Sequence, residues 1–158
     1  MTYVFELYNT VAVLLLPEYR TAAFVGHHVV TCLLAYLSLT PFLHYYGFFF
    51  FGLAAVSSVP LAIVEVTKST GMTSLSEVLK MLFAVLFLAI RTAYWPVVSY
   101  GFWQDTLGAL SDGSVHSVPA AVIFLVANVG LTGLQFYWTT LIISGIVEMS
   151  QGKVAKHS

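Results

Sequence analysis

Five long apolar stretches separated by short polar breaks leave this chain almost no surface for water to wet. They run approximately from Tyr3 to Leu16, Thr21 to Leu39, Phe42 to Val66, Val78 to Trp103 and Pro119 to Val147. Charged residues make up 8% of the 158 residues and hydrophobic residues 59%, whereas a soluble domain carries about 25% charged residues. So few charges cannot cover a globule of this size, and a bilayer takes the apolar area directly. The stretches are continuously apolar and lack the period-two alternation of a membrane barrel, so they read as helices. At about 20 residues per span the length accommodates about five spans and no separate catalytic domain. The expected fold class is therefore all-α: a polytopic transmembrane helical bundle forming one domain over residues 1–147, followed by a short tail, 148–158. The first stretch rises only about 21 Å as a helix, short of a hydrocarbon core of about 30 Å, while the other four are long enough. Pro60 and Pro96 fall inside the third and fourth stretches and are expected to kink them.

The net charge of −1 and the absence of clustered Lys and Arg exclude a nucleic-acid surface. Cys32 is the single cysteine, so neither an intrachain disulfide nor a thiolate metal cluster can form. The amino terminus has no basic region and runs into Glu6 and Asn9, which suits neither a secretory signal nor a transit peptide. If the stretches alternate across a bilayer, Arg20, Lys68, Lys80, Lys153 and Lys156 share one side. The other side holds Asp105 and Asp112 with no Lys or Arg. The positive-inside rule makes the first side cytosolic, with the tail in the cytosol and residue 1 on the far side. Trp95, Trp103, Tyr100, Tyr45 and Tyr46, near the ends of stretches, read mostly as interfacial belt residues.

An ionisable side chain in hydrocarbon costs about 2.5 to 3.5 kcal/mol on insertion scales, so each needs a partner, a wet cavity or a function. Counted at about 1.5 Å per residue from the cytosolic ends, His27 lies about 9 Å deep, Ser58 about 12 Å, Glu6 about 15 Å, Arg91 about 16 Å and Gln135 about 18 Å. These residues form one polar layer, with Asn9, His28 and Ser57 beside them. His27 and His28 point about 100° apart on a helix, so one is expected to face a cavity. An imidazole there can act as general base or nucleophile, or the pair can serve as interhelical hydrogen-bonding glue. Only His27, His28 and Glu6 offer metal-ligand chemistry at this depth, too few for a usual site, and no metal is expected. Arg91 keeps its charge, so the expectation is an ion pair with Glu6 or an anionic head group beside it.

The residues Tyr3, Glu6 and Leu7, then His27-His28-x-x-Thr31 followed by Ser38, carry a pattern that continues through Glu65-x-x-Lys68, Phe83, Phe87, Arg91 and Pro96. It closes with Leu134-Gln135-x-x-Trp138-x-x-Leu141-Ile142. In this order the set resembles the TLC-domain membrane proteins, which include ceramide synthases and translocation-associated membrane proteins. The resemblance implies a helical domain of the endoplasmic reticulum with more spans than are visible, so that amino-terminal helices of the full domain are missing here. It also implies that His27 and His28 are the catalytic pair, moving an acyl group from acyl-CoA as co-substrate to a lipid amine, with membrane lipids as partners and no bound cofactor. One departure stands out. Ceramide synthases carry H-D-x-x-D before the E-x-x-K pair, and the matching positions here are Ser57, Ser58 and Leu61, so the chain diverges from that branch. The expected role is lipid metabolism or lipid handling, either as a divergent N-acyltransferase or as a noncatalytic lipid-sensing or trafficking protein. A homo-oligomer stays open.

Overall fold

In the computed structural model the described residues are 2–17, 20–40 and 44–151, and they form five helical rods with no strand among them. The rods are α1 (Thr2–Leu15), α2 (Ala22–Leu37), α3 (Tyr45–Ser69), α4 (Thr73–Ser111) and α5 (Val118–Ser150). The last three are long and apolar enough to cross a membrane. The second stretch falls short of the expected span: α2 has 16 residues, a rise of about 24 Å. Thr21 caps its start, accepting from the Phe24 N–H at 3.3 Å, and Ser38 ends it. The tail expected to carry Lys153 and Lys156 and the turn at Pro41 lie outside the described residues.

Two expected loops are much shorter than read from hydropathy. The break at Thr67 to Glu77 contracts to residues 70–72, and Gln104 to Ser111 are helical. Hydropathy marks where hydrocarbon ends, whereas a helix with its own backbone bonds continues into the wet interface. Glu65 with Lys68, at 3.0 Å, and Glu77 with Lys80, at 2.5 Å, pair on these projecting turns. Glycine ends both helices in the left-handed region. At Gly71, φ 73°, the Met72 N–H reaches Thr67 O at 3.0 Å; at Gly113, φ 68°, the Ser114 N–H reaches Ala109 O at 3.0 Å.

All neighbours run antiparallel, as paired residues show. Tyr3 meets Tyr36 and Thr10 meets His28 between α1 and α2. Ser57 meets Arg91 and Tyr46 meets Asp105 between α3 and α4. Trp95 meets Thr132 and Thr92 meets Thr139 between α4 and α5. Leu34, Phe49, Ala54, Trp95 and Leu131 form a core drawn from α2 to α5, and α1 lies outside it against α2. Trp95 is thus a core residue, 3% exposed, with its indole N–H on Thr132 Oγ1 at 2.8 Å, rather than a belt residue.

The distortions come as wide π-helical turns just upstream of the prolines, at Phe48–Leu53 in α3 and Leu88–Tyr94 in α4. On α4 the buried positions Phe87, Arg91, Trp95 and Ser99 recur every four residues. In a regular α-helix each such step drifts by about 40°, so the stripe would wander off the core. The wider turn keeps it aligned. On α3, Phe49 and Ala54 are five apart for the same reason. Below that turn the Ser58 N–H takes Ala55 O at 3.0 Å, which frees the Ala54 carbonyl from the helical ladder.

Candidate functional site

That freed carbonyl is the anchor of the site. Arg91, 8% exposed and held in the π-helical turn of α4, donates from Nη2 to Ala54 O at 2.8 Å and from Nε to Ser57 Oγ at 2.8 Å. Nη2 also reaches Ser58 Oγ at 3.2 Å, and Nη1 reaches Gln135 Oε1 at 3.4 Å. The guanidinium lies 5.5 Å from the Phe87 ring centroid. All of these partners are neutral. The expected Glu6 to Arg91 ion pair is not formed: among the described residues no carboxylate lies within 4.0 Å of Arg91.

Glu6 is drawn elsewhere because α1 packs on α2. Its Oε2 accepts from Thr31 Oγ1 at 2.9 Å and lies 3.9 Å from His28 Nδ1. Thr10 Oγ1 donates to the His28 carbonyl at 2.9 Å, tying the same two helices. The two histidines divide as their 100° separation requires. His28 turns toward Glu6, and His27 toward α5, its ring edge-on to Trp138 at 5.3 Å and to His28 at 5.0 Å. Nδ1 of His27 is buried and has no hydrogen-bond partner, as is Nε2 of Gln135, a residue only 1% exposed.

A cavity of about 110 Å³ brings most of these groups together. At one end its wall holds Glu6, His27, Arg91 and Gln135; its middle is apolar, with Leu34, Phe50, Trp95 and Leu131; the other end holds Ser38, Tyr46 and Asn128. From His27 to Ser38 the wall follows α2 for about 16 Å. The volume is below the 300 to 1,000 Å³ of a typical small-molecule pocket, roughly enough for a head group or a segment of chain. Of the residues read from the sequence, His28, Asn9, Ser57 and Ser58 do not line it. Ser57 and Ser58 instead hold Arg91 from behind, and Asn9 is half-buried on α1.

Sequence reasoning missed the far end. Asn128 accepts from Trp103 Nε1 at 3.1 Å and donates to Ser99 Oγ at 3.1 Å. Tyr46 donates to Asp105 at 2.7 Å, and Tyr45 donates to the same carboxylate. The legible signal was spacing: Asn128 precedes Gln135 by seven residues, which puts both on one face of α5. Asp105, placed by hydropathy in a loop, is helical and clamps α3 to α4.

Compared with known proteins, the chain matches no curated protein and no solved structure. Against protein families, the TLC domain matches residues 4–144, a stretch that contains Glu6, both histidines, Arg91 and Gln135. The polar layer and its cavity therefore lie within one shared domain, and the chain belongs to the TLC-domain family of membrane proteins.

Proposed function

We propose that the protein handles lipid within the bilayer and that its finer activity is acyl transfer from acyl-CoA to a lipid amine at His27. The observation that carries this reading is the cavity itself, a largely apolar space inside a membrane bundle with His27 on its wall and a buried, unpartnered nitrogen on that imidazole. In the proposed step the amine nitrogen attacks the thioester carbonyl, a C–N bond forms and the C–S bond breaks. His27 takes the amine proton and returns it to the departing CoA thiolate. His28, beside Glu6, supports the His27 ring by edge contact and is a positioning residue. Residence in the endoplasmic reticulum with a cytosolic carboxyl end completes the proposal, since acyl-CoA is met on the cytosolic side.

A second reading, a noncatalytic lipid-sensing or trafficking protein, is favoured by one feature. Ser57 and Ser58 are committed to Arg91, and among the described residues the one carboxylate near the histidines stands 3.9 Å from His28 Nδ1, beyond hydrogen-bond reach. Purified full-length protein, offered acyl-CoAs of several chain lengths and a panel of lipid amines, should consume acyl-CoA and yield N-acyl product. The His27→Ala variant should not. Intact protein that retains lipid through purification but consumes no acyl-CoA would select the second reading.

A further inference from the structure

We infer that the Arg91 end of the cavity binds the carboxylate of a long-chain fatty acid. This rests on the lipid-handling reading and names the head group that the site selects. Three nitrogens carry the inference. The Nε and Nη2 edge of Arg91 is fully engaged by Ala54, Ser57 and Ser58, which fixes the plane of the guanidinium. Its Nη1 has only the long 3.4 Å contact with Gln135 Oε1. Gln135 Nε2 is buried with no partner, and so is Nδ1 of His27. All three residues line one cavity, and a buried donor without an acceptor, as Gln135 Nε2 is, is rare in folded proteins.

The missing acceptor is an anion of single charge. Arg91 is buried among neutral oxygens, so its charge is locally unmatched. Glu6 sits on the same wall and turns its oxygen to Thr31 and His28, and its charge opposes a dianion about twice as strongly as a monoanion. A carboxylate supplies two oxygens in one plane, one for Arg91 Nη1 and one for the adjacent Gln135 amide N–H. A phosphate monoester brings a larger head and more charge than one arginine offsets. Beyond the head group the middle of the cavity is lined by Leu34, Phe50, Trp95 and Leu131, which suit a segment of aliphatic chain.

The test uses full-length protein in phosphatidylcholine nanodiscs with radiolabelled palmitate, competed by palmitate, hexadecanol or hexadecyl phosphate. Palmitate is expected to compete at least about tenfold better than either alternative, the value of one charge-assisted hydrogen bond or more. Gln135→Met, which keeps the side-chain length and removes the Nε2 donor, should weaken palmitate by about tenfold. Hexadecanol, whose neutral hydroxyl takes a weaker bond from the same donor, should lose clearly less than palmitate in that variant, and its retained binding reports that the cavity is still folded. Hexadecanol competing as well as palmitate, hexadecyl phosphate competing better, or an unaltered palmitate affinity in Gln135→Met would each overturn the carboxylate site while leaving lipid handling intact. Binding of neither palmitate nor hexadecanol would overturn both.

Discussion

Thr31 donates its hydroxyl to Glu6 Oε2 at 2.9 Å, and this contact decides where the buried Glu6 carboxylate points. Glu6 is 8% exposed on α1, and Thr31 is equally buried on α2. Replacing Thr31 by Val keeps the shape and removes the donor, so the carboxylate loses its shortest bond. A loss of about 1 to 3 kcal/mol follows. Thermal unfolding in detergent should show it, and Glu6→Gln, whose amide oxygen still accepts from Thr31, should lose less. Equal losses from the two substitutions would show that the bond does not organise the pair.

Arg91 is the second point of leverage. A lysine at this position is a point charge and cannot reach Ala54 O, Ser57 Oγ and Ser58 Oγ in the flat fork that the guanidinium makes. Arg91→Lys is expected to cost about 1.5 to 3 kcal/mol, one charge-assisted hydrogen bond. Ser57→Ala, which removes one of several acceptors, should cost less. Denaturation midpoints of the two variants in the same detergent check the order, and Arg91→Lys as stable as the parent protein contradicts it.

At the other end of the cavity, Asn128→Ala would strand Trp103 Nε1 and remove the partner of Ser99. Unmade bonds to buried groups cost about 1 to 3 kcal/mol. Intrinsic tryptophan fluorescence should shift along with the loss of stability, because the Trp103 indole loses its acceptor. An unshifted spectrum in a destabilised variant would place the loss elsewhere than at Trp103.

The antiparallel order of α3, α4 and α5 makes a topological prediction. A reporter inserted between Asp112 and Ser117 and one fused after Ser158 should lie on opposite sides of the membrane, with the carboxyl-terminal one in the cytosol. Glycosylation acceptors and a protease-sensitive tag give independent readouts. Both reporters on one side would mean that α5 does not cross.

The helical class, the approximate rods and the set of costly polar residues within them were legible in the sequence. Each depends on quantities local to the chain: twenty apolar residues span hydrocarbon, and a charge within them is costly wherever its partners lie. The split between His27 and His28 was legible as well, because a helix fixes the angle between adjacent side chains at about 100°. The loop lengths were not, since the hydropathy of Gln104 or Thr73 describes the surrounding medium rather than the backbone.

What only the tertiary structure decided is which face of each helix turns inward. On α5 the buried residues Ala121, Leu125, Asn128, Leu131, Gln135 and Thr139 form one stripe, yet the outward residues Val122, Val126, Val129 and Phe136 are as apolar. In water the inner face of a helix is marked by contrast with its polar outer face. In a bilayer lipid and core are equally apolar, so the contrast disappears and packing alone chooses. The partner of Arg91 followed from that choice. Composition supplied one carboxylate at the right depth, but Thr31 and His28 of α2 hold it, and a carbonyl freed by the turn before Pro60, which no side-chain pattern reveals, took its place beside Arg91.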